Sequence, residues 1–296
     1  MMDAKTADRA DDVFVTDLES AGNVEQLAAW LAARSRVTVI TGAGVSTQSG
    51  IPDYRDGDGN WKRSPPVQYA DFVHGAATRR RYWARSFTGW PMFAAARPNA
   101  AHRALAQLEA RGKVAALVTQ NVDGLHQRAG SRSVIDLHGR LDVVRCLDCN
   151  HRSGRDAFQQ RLRTANPEWA ASPARIAPDG DADVEGRDFA AFNVPACEVC
   201  GGLLKPDVVF YGESVPRAVT DSAFAAVEAA DGVLVVGSSL MVWSSFRLIR
   251  AAATRGVPVV AVNRGRTRAD DLFSFKLDGE CGAVLGAVVG NVSTVG

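Results

Sequence analysis

Four of the five cysteines form two C-x-x-C pairs, Cys146/Cys149 and Cys197/Cys200, and Cys281 stands alone. Thiolates three positions apart on a tight turn can face one tetrahedral ion, and four of them close a zinc site with no position left for a substrate. The expected chemistry is therefore structural: one zinc ion holding a small module together. A redox dithiol beside a chance pair is the competing reading. The long separation between Cys149 and Cys197 implies an insertion between the two knuckles. His151 beside Cys149 is not needed as a ligand.

A second group of reactive side chains follows apolar runs. Gly42, Ala43, Gly44 and Ser46 come directly after Val37-Thr38-Val39-Ile40. Small residues there let backbone N–H groups approach phosphates at a helix start. Thr47 occupies the third glycine position of the dinucleotide fingerprint, so a standard hydride-transfer site is not expected. Alone, the turn serves equally well as a tight connection. Gln120, Asn121 and Asp123 follow the next apolar run and offer amides and a carboxylate to ribose hydroxyls and a carboxamide. Gly237-Ser238-Ser239 and Asn263-Arg264-Gly265 end two more runs and suit an adenosine. His138, in Leu137-His138-Gly139, stands just before the cysteine segment, at a junction where ligands collect. A neutral imidazole there can take a proton from a sugar hydroxyl. His126 is read as structural, and His74 and His102 have no partner pattern.

The elements that must carry these residues are legible as periodicity. Apolar runs at 37–40, 114–118, 232–236 and 257–262 lack alternation, which suits strands covered on both faces of a parallel sheet. Helical spacing marks 24–34, 101–111, 218–230 and 244–255. Alternating strands and helices predict an α/β fold: a doubly wound, parallel, Rossmann-like sheet. Residues 20–53, 101–140 and 207–290 are assigned to it. Residues 54–100, rich in Trp, Arg and Pro, and 141–206, with the cysteines, break the rhythm and are assigned to a smaller zinc-binding domain. Residues 1–19, with six acids and no apolar core, read as a flexible leader of a cytoplasmic protein rather than a signal or transit peptide. A net charge of +1, from 34 basic and 33 acidic residues, argues against nucleic acid as a partner. No apolar run is long enough for a membrane span. Arg79-Arg80-Arg81 reads mainly as a solvated helix face.

Taken in order, G-A-G-V-S-T at 42–47, G-I-P-D-Y-R at 50–55, T-Q-N-V-D-G-L-H at 119–126, L-H-G at 137–139, the C-x-x-C pairs, K-P-D-V-V-F-Y-G-E at 205–213 and G-S-S-L at 237–240 resemble the sirtuins over nearly the whole chain. Arg81-Tyr82-Trp83-Ala84-Arg85, Gly89-Trp90-Pro91 and Pro178-Asp179-Gly180-Asp181 look most like the class II branch. The resemblance implies an NAD-consuming protein-lysine deacylase acting on acylated proteins. Protein ADP-ribosyl transfer, or a non-catalytic zinc-stabilised NAD-sensing module, are the alternatives. It implies that Ile51, Pro52, Asp53, Tyr54 and Arg55 form the cofactor loop and that His138, with Asn121, is catalytic. It places Cys281 at the adenosine end, and Val209, Tyr211, Gly212, Glu213 and Val242 beside the substrate peptide, flanked by residues 209–213 and 240–243. Two positions depart from the family: Tyr54 where Phe is common, and Ser244, beside the acyl-lysine groove, where Pro is common. Tyr82 and Arg85 resemble a Tyr-x-x-Arg pair that reads an acyl carboxylate. On a helix they share a face. The other reading is a surface Arg with Tyr82 packed beneath.

Overall fold

The computed structural model describes residues 22–54, 56, 58, 60, 62, 66–169, 180–182 and 188–292. Arg55, Pro178, Asp179 and the leader at 1–19 lie outside the described residues. In chain order the helices are α1 (Val24–Ala32), α2 (Tyr69–His74), α3 (Ala76–Ala95), α4 (Ala100–Ala110), α5 (Leu125–Arg128), α6 (Arg155–Ala165), α7 (Arg217–Glu228), α8 (Trp243–Thr254) and α9 (Cys281–Val292). The strands are β1 (Val37–Thr41), β2 (Val114–Thr119), β3 (Val134–Asp136), β4 (Gly139–Cys146), β5 (Arg152–Gly154), β6 (Leu204–Val208), β7 (Gly232–Val236), β8 (Val259–Val262) and β9 (Phe275–Leu277).

Six strands form one parallel sheet in the order β3-β2-β1-β7-β8-β9. Every residue of β1, β7 and β8 is buried, as continuous apolar runs require. Successive side chains point to opposite faces. Leu234 and Val236 therefore pack with Leu31, Leu105 and Leu285 of α1, α4 and α9, while Val233 and Val235 pack with Val227 and Leu248 of α7 and α8. The chain builds outward from β1 through β2 to β3, then returns to β7 on the other side of β1. That reversal is a topological switch point, and the crevice above it is where such sheets bind ligands.

The other excursions form a smaller module around a second, antiparallel sheet, β5-β4-β6. Its core is aromatic: Phe72, Trp83, Phe158, Phe192 and Phe210. Two fully buried cations among the described residues sit in it. Arg155 donates to Gln159 Oε1 at 2.6 Å and to Ser86 Oγ at 3.2 Å, with its guanidinium over Trp90. Lys205 donates to the Val208 carbonyl and to Glu213 Oε2, the latter at 3.0 Å. Gly89 lets α3 meet residues 180–182: a Cβ there would lie 2.2 Å from the Gly180 carbonyl oxygen. That close approach ties two of the sequence phrases together in space.

The expected strands and helices are all present, with ends shifted by one or two residues. The last predicted strand begins at Val259 rather than Val257, because Pro258 has no N–H to give the ladder. Residues 209–213 and 240–243 form no ladder with each other. Their one bridge among the described residues joins Tyr211 to Gln68.

Candidate active site

A cavity of about 1060 Å³ opens above the switch point, between the sheet and the smaller module. Its floor is the ends of β1 and β7. The Gly44 N–H donates to the Gly237 carbonyl at 2.9 Å, and a Cβ on Gly44 would lie 2.9 Å from that same oxygen. Glycine is required here for two strand ends to touch. Gly42, Ala43, Gly44, Ser46, Ile51, Pro52, Asp53 and Tyr54 line the cavity along one stretch. Gly237, Ser238, Ser239, Asn263, Arg264 and Cys281 line it along another, while Gly265 does not reach the wall. The size and the span from the β1 turn to Asn263 suit an extended dinucleotide with room for a peptide.

At the centre, Asn121, Ser46 and Asp123 form one chain of hydrogen bonds. Asn121 Nδ2 donates to Ser46 Oγ at 3.0 Å, and Ser46 Oγ donates to Asp123 Oδ2 at 2.7 Å. The Leu125 N–H holds the other carboxylate oxygen at 2.9 Å. Burial nevertheless pushes the Asp123 carboxyl above the usual carboxylate range. Gln120 lines the same wall, but its side chain is a strut: it donates to Ser238 Oγ at 2.7 Å and accepts from Ser245 Oγ at 2.9 Å.

His138 stands between β3 and β4. Gly139 after it is forced, because a Cβ there would lie 2.1 Å from the Asp207 carbonyl oxygen. The ring's two nitrogens have different partners. Nδ1 faces the Gln120 carbonyl oxygen at 3.1 Å, and a carbonyl only accepts, so Nδ1 carries the proton. Nε2 then has the lone pair, and the Ser244 hydroxyl donates to it at 2.8 Å. Burial lowers the His138 pKa to about 4, so the imidazole is neutral and basic at pH 7. Ser244 entered the sequence reading only as a departure from a family pattern. No sequence signal pairs it with a histidine 106 residues away.

His126 is structural, as expected: its Nε2 lies 3.0 Å from the buried Thr41 hydroxyl. His102, to which the sequence reading gave no partners, closes the N-terminus of α4 with Asn99 and packs at a tilt against His126, ring centroids 4.8 Å apart. Cys281 is a buried thiol whose pKa is pushed up to about 12 by burial, so it is a wall residue and not a nucleophile.

Val209, Tyr211, Gly212, Glu213 and Val242 all line the cavity. Glu213 does so as an anchored group, held by Lys205, by Arg145 at 3.8 Å and by the Phe210 N–H at 2.9 Å. Tyr82 and Arg85 do not converge. Tyr82 lines the cavity, while Arg85 is off its wall and bonded to Asp181 Oδ2 at 2.9 Å. The helix presents both residues to buried surroundings, but the segment at 180–182 claims the guanidinium.

The four pair-forming cysteines lie together, all sulfurs within 4.8 Å of one another. Cys146–Cys200 and Cys149–Cys197 are 3.5 and 3.8 Å apart. Sulfurs about 2.3 Å from a tetrahedral zinc stand about 3.8 Å from each other, so the cluster fits that ion. Each knuckle closes alike, with Asn150 and Gly201 at positive φ after the second cysteine.

A family model described as the Sir2 family matches residues 42–244. An NAD-dependent protein deacetylase of Bordetella bronchiseptica is 57% identical over 267 residues, covering 90% of this chain and 97% of that protein. One from Xanthomonas axonopodis pv. citri is 60% identical over 250 residues, covering 84% and 85%. Among solved structures, one described as bearing on the mechanism and regulation of Sir2 enzymes is 33% identical with a TM-score of 0.73, covering 93% of this chain and 99% of that one. A Sir2–p53 peptide–NAD+ complex is 28% identical with a TM-score of 0.73, covering 92% and 100%.

Proposed function

The chain belongs to the Sir2 family, and we propose that its cavity carries out NAD-dependent deacylation of lysine side chains in proteins, with His138 as the general base. NAD, when bound, supplies a ribose carbon whose bond to nicotinamide breaks and hydroxyls that receive the acyl group, so that acyl-lysine, NAD and water become lysine, nicotinamide and O-acyl-ADP-ribose. The glycine turn at 42–44 and residues 237–239 and 263–264 would seat its phosphates and adenosine. Asn121 and Asp123, with Ser46 between them, would orient the ribose and carboxamide. Arg55 and Gly265 complete the assigned set. His138 Nε2 would take the hydroxyl proton, displacing the Ser244 hydroxyl, and the Nδ1 bond to the Gln120 carbonyl fixes the ring.

The observation that carries this reading is the Gln120 carbonyl against His138 Nδ1, which leaves Nε2 as the basic nitrogen, on a cavity wall shared with the Asn121–Ser46–Asp123 chain. Residues 209–213 and 241–243 line the cavity, and residues 209–213 and 240–243 would flank an extended substrate peptide. Zinc at the four cysteines would be structural. We assign residues 20–53, 101–140 and 207–290 to the NAD-binding domain and 54–100 and 141–206 to the small one. Thiolate ligands fit a reducing compartment, which supports a cytoplasmic enzyme. No helix among the described residues is long and apolar enough to cross a membrane.

The test is turnover of an acetyl-lysine peptide with NAD, read as O-acetyl-ADP-ribose. His138→Ala should lower it by about 10²–10⁴-fold while NAD still binds. Label transferred to protein instead of peptide deacylation would favour ADP-ribosyl transfer. NAD binding without nicotinamide release would favour a sensing module.

A further inference from the structure

The cavity wall contains a guanidinium whose partners do not account for it. Arg247 lies on α8 one turn beyond Ser244, on the same face, and lines the cavity. One terminal nitrogen donates to Thr220 Oγ1 of α7 at 3.1 Å, and the group lies over the Phe224 ring at 5.3 Å. Its Nε is buried with no hydrogen-bond partner among the described residues. No carboxylate pairs with it among the described residues. A buried N–H without an acceptor costs free energy, and a charged one more so.

The charges around it have the same sign or are already taken. Arg217 lines the same rim, and its partner Asp221, 3.5 Å away, is itself 66% exposed on the outer surface. Arg250 and Arg268 flank the exposed Trp243 at 5.6 and 5.5 Å. Of the nearby acids, Glu213 is bound by Lys205, and Asp270 by Lys276 and Thr267. The chain as a whole carries +1, so this rim is a local concentration of positive charge.

Resting on the deacylase reading, we propose that Arg247, with Arg217 beside it, binds a carboxylate on the substrate peptide, so that the enzyme selects acyl-lysines flanked by Asp or Glu. A carboxylate brings two acceptors matched to a guanidinium fork, and it would satisfy the orphaned Nε. Position decides which carboxylate. The cavity's far end, at Tyr82, Val122 and Leu141, is aromatic and aliphatic and packs with the core of the other module. Arg247 packs instead on the sheet's helices, next to residues 240–243, where the peptide main chain would run. An acid on a neighbouring side chain reaches it, whereas the acyl tip points the other way.

The experiment compares acetyl-lysine peptides identical except for Glu or Gln on either side of the lysine. Binding is read by fluorescence anisotropy of the labelled peptide and turnover as kcat/KM. The Glu peptide should win by about five- to tenfold in both, with the ratio shrinking as salt rises. In Arg247→Gln the ratio should fall to near one, while Arg247→Lys keeps part of it. Equal handling of the two peptides by the parent, or a ratio that survives in Arg247→Gln, overturns the proposal. An Arg247-dependent gain for a succinyl-lysine in the Gln background also overturns it, by assigning the carboxylate to the acyl chain. Should no peptide be deacylated, the functional reading fails by itself, and the anisotropy ratio still judges Arg247.

Discussion

The two halves of this molecule solve the burial problem in opposite ways. The six-stranded sheet is held by aliphatic side chains on both faces, and the all-buried strands β1, β7 and β8 need no charge or metal. The smaller module is built from two separate excursions of chain. It combines an aromatic core with buried Arg155 and Lys205 and four clustered thiols. The lesson is that the sheet's stability is distributed, while the module's is concentrated in a few groups that can each be removed. His138 sits where the two meet, so damage to either half should reach it by a different route.

Removing the metal should separate the halves most sharply. Cys149→Ser, or chelation, should unfold the smaller module and abolish turnover, because zinc binding in such a site is folding free energy, on the order of 10 kcal/mol. Hydrogen exchange should show β4 to β6 losing protection while β1 and β7 retain it. Full thermal stability and activity of the metal-free protein would contradict a structural zinc.

The next test cuts the buried ion pair. Lys205→Met strands Glu213 in a pocket only 16% exposed, where Arg145 compensates it from 3.8 Å. Breaking a buried pair typically costs about 3–5 kcal/mol, and the value here should fall at about 3 kcal/mol in a denaturant titration. Adding Glu213→Gln should recover most of it. A single variant as stable as the parent would mean that the clamp is idle and that residues 209–213 are held by Tyr211 and Val209 alone.

The contrast also explains what was readable in advance. Runs such as Val233-Leu234-Val235-Val236 announce a buried strand because each residue is apolar, and the turn after each run announces a crevice. The cysteine spacing declares a metal for the same reason: the ligand set is written in residue type. Strands β3 and β9, three residues each, are too short to show a period. The Arg85 assignment failed to account for Asp181, brought to α3 by a turn that no local pattern encodes. Ser244 and Arg247 were invisible as site residues because their meaning lies in partners on other elements, His138 and Thr220.

Acid should weaken the sheet's site before its core. Burial lowers the pKa of His102 to about 4, of His126 to about 3 and of His138 to about 4, from an ordinary 6.5. Below about pH 6.5 the unfolded chain takes up protons that the folded one refuses, so stability is full above that point and falls as pH drops toward 4. Asp123 and Asp136, raised by burial, work in the opposite sense at the acid end, so pH 7 to 5.5 is the clean window. Protection factors of the β1 and β2 amides, referred to the intrinsic exchange rate at each pH, should fall across it, and a flat profile would place these rings in wetter surroundings. Turnover should hold its acid limb below pH 6.5, since His138 stays unprotonated there.

The smallest expected effect is at Ser244. An imidazole Nε2 has one lone pair, and the Ser244 hydroxyl already occupies it at 2.8 Å. A ribose hydroxyl that gives its proton to Nε2 must displace that donor. The family's usual proline at this position has no hydroxyl, so the serine is a competitor for the base rather than a required part of it. A neutral hydrogen bond is worth about 0.5–1.5 kcal/mol net, which sets the scale at about two- to tenfold. Ser244→Ala should raise kcat/KM on an acetyl-lysine peptide by that factor, and Ser244→Thr, which keeps the hydroxyl, should not. The 15N shift of His138 Nε2 in the ligand-free protein should move toward that of a lone pair without a donor in the alanine variant alone. A fall in kcat/KM would reverse the assignment: the hydroxyl would then relay the proton or steady the ring, and the base would depend on the sheet-side helix as much as on the turn that carries it.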